Sequence, residues 1–343
     1  MINNTFLKAI KREPARHTPV WLMRQAGRYM KEYMAIREKR SFLEMCKTPE
    51  IACEVTLQPV DILGVDAAII FADILLPLEG MGIKLEFGKN EGPIIHNPVR
   101  SEKDIKAIRI IEPQEDVPYL LTAIRLVKNE LKNRVPLIGF SAAPFTLASY
   151  IIEGGGSRNY VNTKGLIYSN PNAWQDLMEK VTEILSRYLN AQIDNGADTV
   201  QVFDSWVGCL GPDDYRRFVL PYTKKLISSV KKGTPVINFS TNTGTYLDVV
   251  KEAGGDCISI DWRVRLDSAW KTIGPGFAIQ GNLDPVVLFA PVSEIKKRTK
   301  EILDAAGGRP GHIFNLGHGI IVGTAVDNVK ALVDTVHEMS SKG

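Results

Sequence analysis

Short apolar segments rich in β-branched residues recur along the chain, and stretches with helical spacing of apolar residues separate them. Nearly continuous apolar strands that alternate with helices are typical of a parallel sheet covered on both faces. The pattern predicts seven strands, at Asp66–Phe71, Val135–Phe140, Asp198–Phe203, Pro235–Phe239, Asp256–Ile260, Phe277–Gln280 and His312–Leu316. We expect an eighth strand, which the pattern does not locate.

The segments between the strands carry the signals of helices and helix ends. Residues 173–195 and 293–306 have apolar side chains at helical spacing. Glycines at 196 and at 254–255 indicate helix ends that lead into the next strand. No linker or low-complexity segment divides the 343 residues. We therefore predict one (β/α)8 barrel domain over residues 1–343, with a doubly wound open sheet as the alternative.

Composition narrows the classes of function. A net charge of +3, without a basic face, argues against a nucleic-acid partner but permits a local basic pocket. The chain has no apolar run of about 18 residues and no apolar segment typical of a secretion signal, so we expect a cytoplasmic protein without a membrane partner. Its four cysteines form no CxxC or HxC pair, so neither a disulfide framework nor a metal site is expected.

Two arginines in the segment Pro19–Arg28 are the first candidate binding residues. Arg24 and Arg28 follow a short apolar run and are four residues apart. On a helix such residues share a face, so we expect one helical turn to present both guanidinium groups to an anionic ligand. A guanidinium group can bind a carboxylate through two hydrogen bonds. Gly27 between them suggests that ligand or backbone approaches closely there.

Polar residues near the ends of the predicted strands form the second candidate group. They are Asp73, Ser205, Ser240, Asp261, Asn282 and His318. In a barrel these positions lie at the rim formed by the carboxyl ends of the strands, where active sites are built. Each one alone is more typical of a helix cap or a loop hydrogen bond. Six at equivalent places favour a shared cleft.

A third segment, residues 139–156, predicts a helix that begins near Pro144. Tyr150 would lie almost two turns into this helix, where its ring could pack or its hydroxyl could donate to a ligand carboxylate. The glycines at 154–156 lack the spacing of a phosphate loop and follow a helix, so we reject a nucleotide site.

The segments 19–28 and 139–156 resemble the two signature segments of the uroporphyrinogen decarboxylase family. The resemblance extends through residues 46–59, 71–77, 280–285 and 314–319, in order and over nearly the whole chain. It implies a single (β/α)8 barrel that is usually a homodimer and needs neither a metal nor an organic cofactor. It also implies removal of CO2 from the four acetate side chains of uroporphyrinogen III to give coproporphyrinogen III.

The resemblance assigns roles to individual residues. Asp73 would sit at the centre of the folded macrocycle and accept hydrogen bonds from the pyrrole N–H groups. The substrate-binding residues would be Arg24, Gln25, Ala26, Gly27, Arg28, Arg37, Tyr150, Ser205 and His318. The general acid is open, because arginine is a poor proton donor near neutral pH whereas histidine titrates close to it. Our hypothesis is that Arg24 positions the reacting acetate and its proton source, while His318 mainly binds.

The sequence departs from the family pattern in two places. Lys31 and Met34 stand where a proline and an arginine are common, and prolines that often follow Gly317–Gly319 are missing, so these loops are expected to be less rigid.

Two other functions are considered. A corrinoid-linked methyltransferase of the same fold would need a zinc site with histidine and cysteine ligands, and the sequence has no HxC pair. A tetrapyrrole carrier without activity is the third possibility.

Overall fold

The computed structural model describes residues 4–88 and 92–342. The strands are β1 (Ala68–Ile69), β2 (Leu85–Phe87), β3 (Pro93–Ile95), β4 (Leu137–Ala142), β5 (Thr199–Asp204), β6 (Val236–Ser240), β7 (Cys257–Ser259), β8 (Ala278–Gln280) and β9 (His312–Ile313). β2 and β3 form an antiparallel hairpin. The other strands form one parallel sheet in the order β1-β4-β5-β6-β7-β8-β9. Each of the seven sequence-predicted strands therefore overlaps a strand of this sheet.

Helices lie between consecutive strands of the sheet and at both ends of the chain. They are α1 (Thr5–Ile10), α2 (Lys31–Arg37), α3 (Phe42–Lys47), α4 (Pro49–Leu63), α5 (Pro77–Gly80), α6 (Glu102–Ala107), α7 (Pro113–Asp116), α8 (Pro118–Leu131), α9 (Pro144–Glu153), α10 (Val161–Ser169), α11 (Pro171–Asp194), α12 (Pro212–Phe218), α13 (Leu220–Ser229), α14 (Leu247–Val250), α15 (Leu266–Ile273), α16 (Val292–Ala306) and α17 (Val326–Ser340). Short 3-10 turns occupy Val207–Cys209, Lys251–Ala253 and Pro285–Phe289. α11 and α16 confirm the two helices predicted from apolar spacing. None of the described helices is both long and apolar enough to cross a membrane.

The eighth strand is the short segment around Val20, which closes the sheet into a barrel. On one side Phe314 donates its N–H to the carbonyl of Pro19 at 2.8 Å, and Val20 pairs with Phe314 in parallel. On the other side Asp66, just before β1, donates its N–H to the carbonyl of Val20 at 2.8 Å. The apolar run that precedes the two arginines is therefore a barrel strand, and the (β/α)8 prediction is confirmed over the open-sheet alternative.

Alternation along the strands separates the barrel interior from the helix-facing layer. On β6, Ile237 and Phe239 belong to the interior cluster, whereas Val236 packs in the outer cluster. Phe6 and Ile10 of α1 are fully buried in the interior cluster. Because α1 contacts β8 and β9, it closes one end of the barrel. The opposite end stays available for a site.

A polar layer crosses the barrel interior. Trp21 Nε1 donates to Gln280 Oε1 at 2.9 Å, and Gln280 Nε2 donates to Gln201 Oε1 at 3.0 Å and to Ser259 Oγ at 2.8 Å. These four residues come from the eighth strand, β8, β5 and β7. Buried polar groups are tolerated when they are hydrogen-bonded to each other, so this network fixes the relative positions of four strands.

Candidate active site

The segment that carries the two arginines is a turn, and the predicted helical turn is wrong. Arg24 adopts a left-handed backbone with φ of 61°, and Gln25 N–H closes the turn on the Leu22 carbonyl at 2.9 Å. The Gln25 side chain accepts from Leu22 N–H at 3.1 Å and donates to the Ala67 carbonyl at 3.1 Å. These bonds tie the turn to the neighbouring strand segment. Tertiary contacts therefore decide the conformation of this segment, and α2 begins only at Lys31.

In the described part of the chain, consecutive backbone N–H groups of this turn have no protein acceptor. Among the described residues, no acceptor is found for the N–H groups of Ala26, Gly27 and Arg28. Ala26 and Gly27 are half-buried, and the Arg28 side chain is exposed. A run of free N–H groups beside guanidinium groups is suited to an anion. Both the oxygen and the nitrogen of the Gln25 side-chain amide are hydrogen-bonded within the protein, so this side chain stabilises the turn. Substrate contact by the Gln25 side chain stays a prediction.

Asp73 lies four residues beyond the end of β1 and is half-buried at the barrel rim. Its Oδ1 accepts the N–H of Leu75 at 2.8 Å, in a turn that leads into α5. Oδ2 has no hydrogen-bond partner among the described residues. Burial raises the pKa of Asp73 to about 6, against the lowering effects of the Leu75 N–H and the Arg24 charge. One carboxylate oxygen thus orders the turn while the other remains available to a ligand.

Tyr150 is held by an aromatic stack. Its ring lies 3.7 Å from that of Trp206, nearly parallel, and Tyr160 contacts Trp206 edge-on. Burial raises the pKa of Tyr150 to about 12; the Asp73 charge raises it further and Arg24 opposes the shift. The hydroxyl is therefore a donor at neutral pH. Ser205, next to Trp206, is half-buried, and its hydroxyl makes no hydrogen bond to the described residues.

His318 stands between two glycines that permit close backbone packing. A Cβ on Gly319 would lie 2.4 Å from Arg24 Cδ, and one on Gly317 would lie 2.5 Å from the backbone nitrogen of Trp262. His318 Nδ1 accepts the Gly319 N–H at 2.7 Å, so its proton lies on Nε2. Burial lowers the pKa of His318 to about 4, helped by the charges of Arg24 and Arg263. The side chain is a neutral donor in the ligand-free protein.

Three of the predicted site residues thus lie within the electrostatic reach of a fourth, Arg24. Its charge acts on the pKa of Asp73, Tyr150 and His318. Arg28 and Arg37 lie further along the rim, where both lower the pKa of Tyr33 against the larger raising effect of burial. Arg37 also donates to the Arg40 carbonyl at 2.7 Å.

Three of the six polar residues near the strand ends, Ser240, Asp261 and Asn282, bond to neighbouring loop residues, and a cleft lined by all six stays a prediction. Ser240 is buried and shares a hydrogen bond of 2.7 Å with the Thr243 hydroxyl. Asn282 donates to the carbonyls of Asp261 and Val264 at 2.8 and 2.7 Å. The Asp261 carboxylate accepts from Asn242 N–H at 2.7 Å and from Arg263 at 2.8 Å. Local loop closure uses these three residues.

Sequence reasoning missed two side chains beside the site. Trp206 orients Tyr150, and Asp204 is buried at the end of β5 with its Oδ1 accepting from Thr146 Oγ1 at 2.7 Å. Burial raises the pKa of Asp204 to about 7. The rule that strand ends carry the chemistry would have found Asp204, because it directly precedes Ser205.

The cysteines do not form a metal site. Cys46, Cys53 and Cys257 are buried and Cys209 is half-buried. Among the described residues, no cysteine belongs to a cluster of three potential metal ligands. A zinc-activated thiol, which the methyltransferase alternative requires, therefore has no ligand set of that kind in the described part of the chain.

Comparison with known proteins identifies the family. The model of the uroporphyrinogen decarboxylase (URO-D) family matches residues 1–339. A protein named uroporphyrinogen decarboxylase from Carboxydothermus hydrogenoformans is 62% identical over 99% of this chain and 97% of its own length. One of the same name from Roseiflexus is 55% identical over the full length of both. The chain belongs to the uroporphyrinogen decarboxylase family.

Solved structures agree with the fold of this uroporphyrinogen decarboxylase family member. A methyltransferase from Methanosarcina mazei superposes with a TM-score of 0.84 over 99% of both chains at 23% identity. A B12-independent methionine synthase, described as putative, from Listeria monocytogenes gives 0.60 at 14% identity, over 95% of this chain and 97% of that chain. At these identities the likeness concerns the fold alone. The two family signature segments predicted from sequence, 19–28 and 139–156, hold Arg24 and Tyr150 of the rim site.

Proposed function

We propose that this chain removes CO2 from the four acetate side chains of uroporphyrinogen III and releases coproporphyrinogen III. The observation that carries the proposal is the environment of Asp73. One half-buried carboxylate with a free oxygen lies within the electrostatic reach of a guanidinium group, a phenol and an imidazole at the barrel rim. The family membership of the whole chain supports the same activity.

The reaction needs an electron sink, and the substrate supplies one. When the ring carbon next to the one that bears an acetate is protonated, the pyrrole becomes cationic. The bond to the carboxylate then breaks, its electron pair neutralises the ring, and CO2 leaves. The methylene carbon takes up a proton to become a methyl group, and the ring carbon loses the one it gained. Such chemistry asks the protein for orientation and placed charge.

In this proposal Asp73 provides the central charge. In the proposed complex its carboxylate accepts hydrogen bonds from the pyrrole N–H groups and stabilises the positive ring that develops during the reaction. Opposite charges attract strongly where water is excluded. Because Oδ1 is already held by Leu75, the carboxylate is oriented before the substrate arrives.

The remaining residues are suited to the substrate carboxylates. Arg24 and Arg28, the free N–H groups of 26–28, and Arg37 further along supply cationic and neutral donors. The hydroxyls of Tyr150 and Ser205 and the Nε2–H of His318 add neutral donors. We assign to Arg24 the positioning of the reacting acetate and its proton source, and to His318 binding. A neutral imidazole is a weak acid, which favours this division of roles.

We also propose that the chain works as a cytoplasmic homodimer without a metal or organic cofactor in the reaction. The family resemblance implies these properties. Size-exclusion chromatography with light scattering measures the oligomeric state. A mass of one chain in solution would contradict the homodimer.

The activity is tested by anaerobic incubation with reduced uroporphyrinogen and mass analysis of the product. We expect the loss of four carboxyl groups with the wild type. Asp73→Asn should lose almost all activity, whereas Asp304→Asn, a surface carboxylate paired with Lys300, should retain it. Tight binding of the substrate without release of CO2 would instead identify a tetrapyrrole carrier and overturn the proposal.

A further inference from the structure

Three potential metal ligands meet at the end of the barrel opposite the candidate active site. His17 precedes the eighth strand, Asp66 precedes β1, and His337 lies in the last turn of α17. His17 Nε2 is 3.0 Å from Asp66 Oδ1, and His337 Nε2 is 2.7 Å from Asp66 Oδ2. The two imidazole rings are 4.5 Å apart. Chain segments separated by more than 300 residues thus converge on one carboxylate.

This cluster takes no part in the proposed decarboxylation. It lies at the amino ends of the strands, where the Asp66 carboxylate also accepts the Val20 N–H at 2.8 Å. Burial raises the pKa of Asp66, but the hydrogen bonds from His17 and His337 outweigh burial and hold it well below its ordinary value. The carboxylate lies between the two imidazoles, with Oδ1 toward His17 and Oδ2 toward His337.

We propose that His17, Asp66 and His337 bind a divalent transition-metal ion such as Zn²⁺. The ligand atoms of the three residues lie within 4.8 Å of one another. Two imidazole nitrogens and one carboxylate oxygen, with water as the fourth ligand, are a ligand set that suits zinc, and hard ions such as Mg²⁺ prefer oxygen alone. Zinc–ligand bonds of about 2.0 Å place tetrahedral ligand atoms about 3.3 Å apart. Small side-chain shifts reach this spacing.

A surface cavity reaches one member of the cluster, His17. A surface cavity of about 400 Å³ is lined by His17, Thr18, Ser340 and Lys342 among others. The side chain of Asp66 is only 3% exposed, whereas those of His17 and His337 are 19% and 28% exposed. The carboxylate is thus fixed in the protein, and the imidazoles form the accessible side of the site.

Binding requires a proton rearrangement at both imidazoles. In the hydrogen-bonded state each Nε2 points at Asp66. A neutral imidazole becomes a ligand when its proton moves to Nδ1, and Nε2 then offers its lone pair to the metal. A protonated imidazole must release a proton instead. Zinc affinity should therefore fall on acidification.

Through His337 and His17, the bound ion would link α17 and the segment before the eighth strand to Asp66 of the barrel. Ligands that bind only the folded state raise its stability by mass action. His96 offers a matched control, because it pairs with Glu86 at 2.8 Å without a second imidazole. Glutamine at 17 or 337 keeps a hydrogen-bond donor toward Asp66 and removes the ligand nitrogen.

The test is equilibrium dialysis of chelator-treated protein against Zn²⁺, together with its thermal midpoint. We expect one zinc ion per chain and a midpoint raised by several degrees. His17→Gln and His337→Gln should each weaken binding by more than about 100-fold, since even outer-shell partners typically contribute 10 to 100-fold. His96→Gln should bind as the wild type does.

Three results would overturn the proposal. They are the absence of stoichiometric zinc, equal affinity in His17→Gln, and a thiolate charge-transfer band when Co²⁺ replaces zinc, which would place the ion on a cysteine. The Co²⁺ spectrum uses the wild type, so it decides the matter even if a variant fails to fold. None of these readouts depends on decarboxylation, and the proposal does not rest on the proposed function.

Discussion

Replacement of Asp73 by asparagine should stabilise the fold while it removes activity. The folded protein raises the pKa of this carboxyl from 3.8 to about 6 because burial disfavours its charged form. The side chain therefore begins to cost stability as the pH rises above 3.8, and the full cost is reached above pH 6. Asparagine keeps the size and the acceptor for the Leu75 N–H, and it carries no charge.

The magnitude follows from the two pKa values. At pH 7.5 the charged carboxylate costs at most about 3 kcal/mol, and at pH 5.0 about half of that, because the folded side chain is then mostly protonated. Solvent contact of the half-buried side chain reduces the cost at pH 7.5 to about 1–2 kcal/mol. Asparagine removes this cost. The difference between variant and wild type should vanish as the pH falls below 3.8, where the unfolded carboxyl is protonated as well.

Chemical denaturation of both proteins at pH 7.5 and pH 5.0 measures this difference. We expect Asp73→Asn to be more stable at pH 7.5, with a gain that shrinks by about half at pH 5.0. A variant that is less stable than the wild type at pH 7.5, or a gain that is the same at both pH values, would refute the reasoning about this buried charge.

Three further changes test the rim. Gly319→Ala places a Cβ 2.4 Å from Arg24 Cδ and should lower kcat/KM by more than about tenfold in steady-state assays. Gly276→Ala, which has open space around its Cβ, is the control and should leave kcat/KM unchanged. His318→Asn should raise KM more than it lowers kcat; lost turnover with unchanged substrate affinity would show that the imidazole is the proton donor. Arg24→Lys keeps the positive charge but loses the planar guanidinium group. It should lower kcat/KM by about 10 to 100-fold, as expected for the loss of charge-assisted hydrogen bonds. Near-normal kinetics would exclude bidentate binding of a carboxylate by Arg24.

The sequence was sufficient for the elements that depend on local pattern. The nearly continuous apolar segments predicted the seven strands of the parallel sheet, and Pro144 and Gly154 marked the first residue and the left-handed cap of α9. Tyr150 therefore lies where the sequence predicted it, almost two turns into that helix. These features need no knowledge of distant residues, which explains why the pattern captured them.

Features set by distant contacts were missed or predicted wrongly. The eighth strand is only a few residues long, so it carries too little pattern to be distinguished from a loop. Arg24 was placed on a helix because the i, i+4 spacing is a local rule. The turn is instead fixed by Gln25 through a bond to Ala67, 42 positions away. In the cluster of His17 and His337 on Asp66, His337 lies 271 positions from Asp66 along the chain, and spacing alone could not indicate the cluster.

The most direct test of the central claim is an anaerobic crystal structure with coproporphyrinogen bound. The account predicts that the Asp73 carboxylate lies at the centre of the macrocycle, within about 3 Å of its pyrrole nitrogens, while Leu75 still holds Oδ1. A product bound with its nitrogens facing solvent, and with Asp73 turned away from the ring, would contradict it.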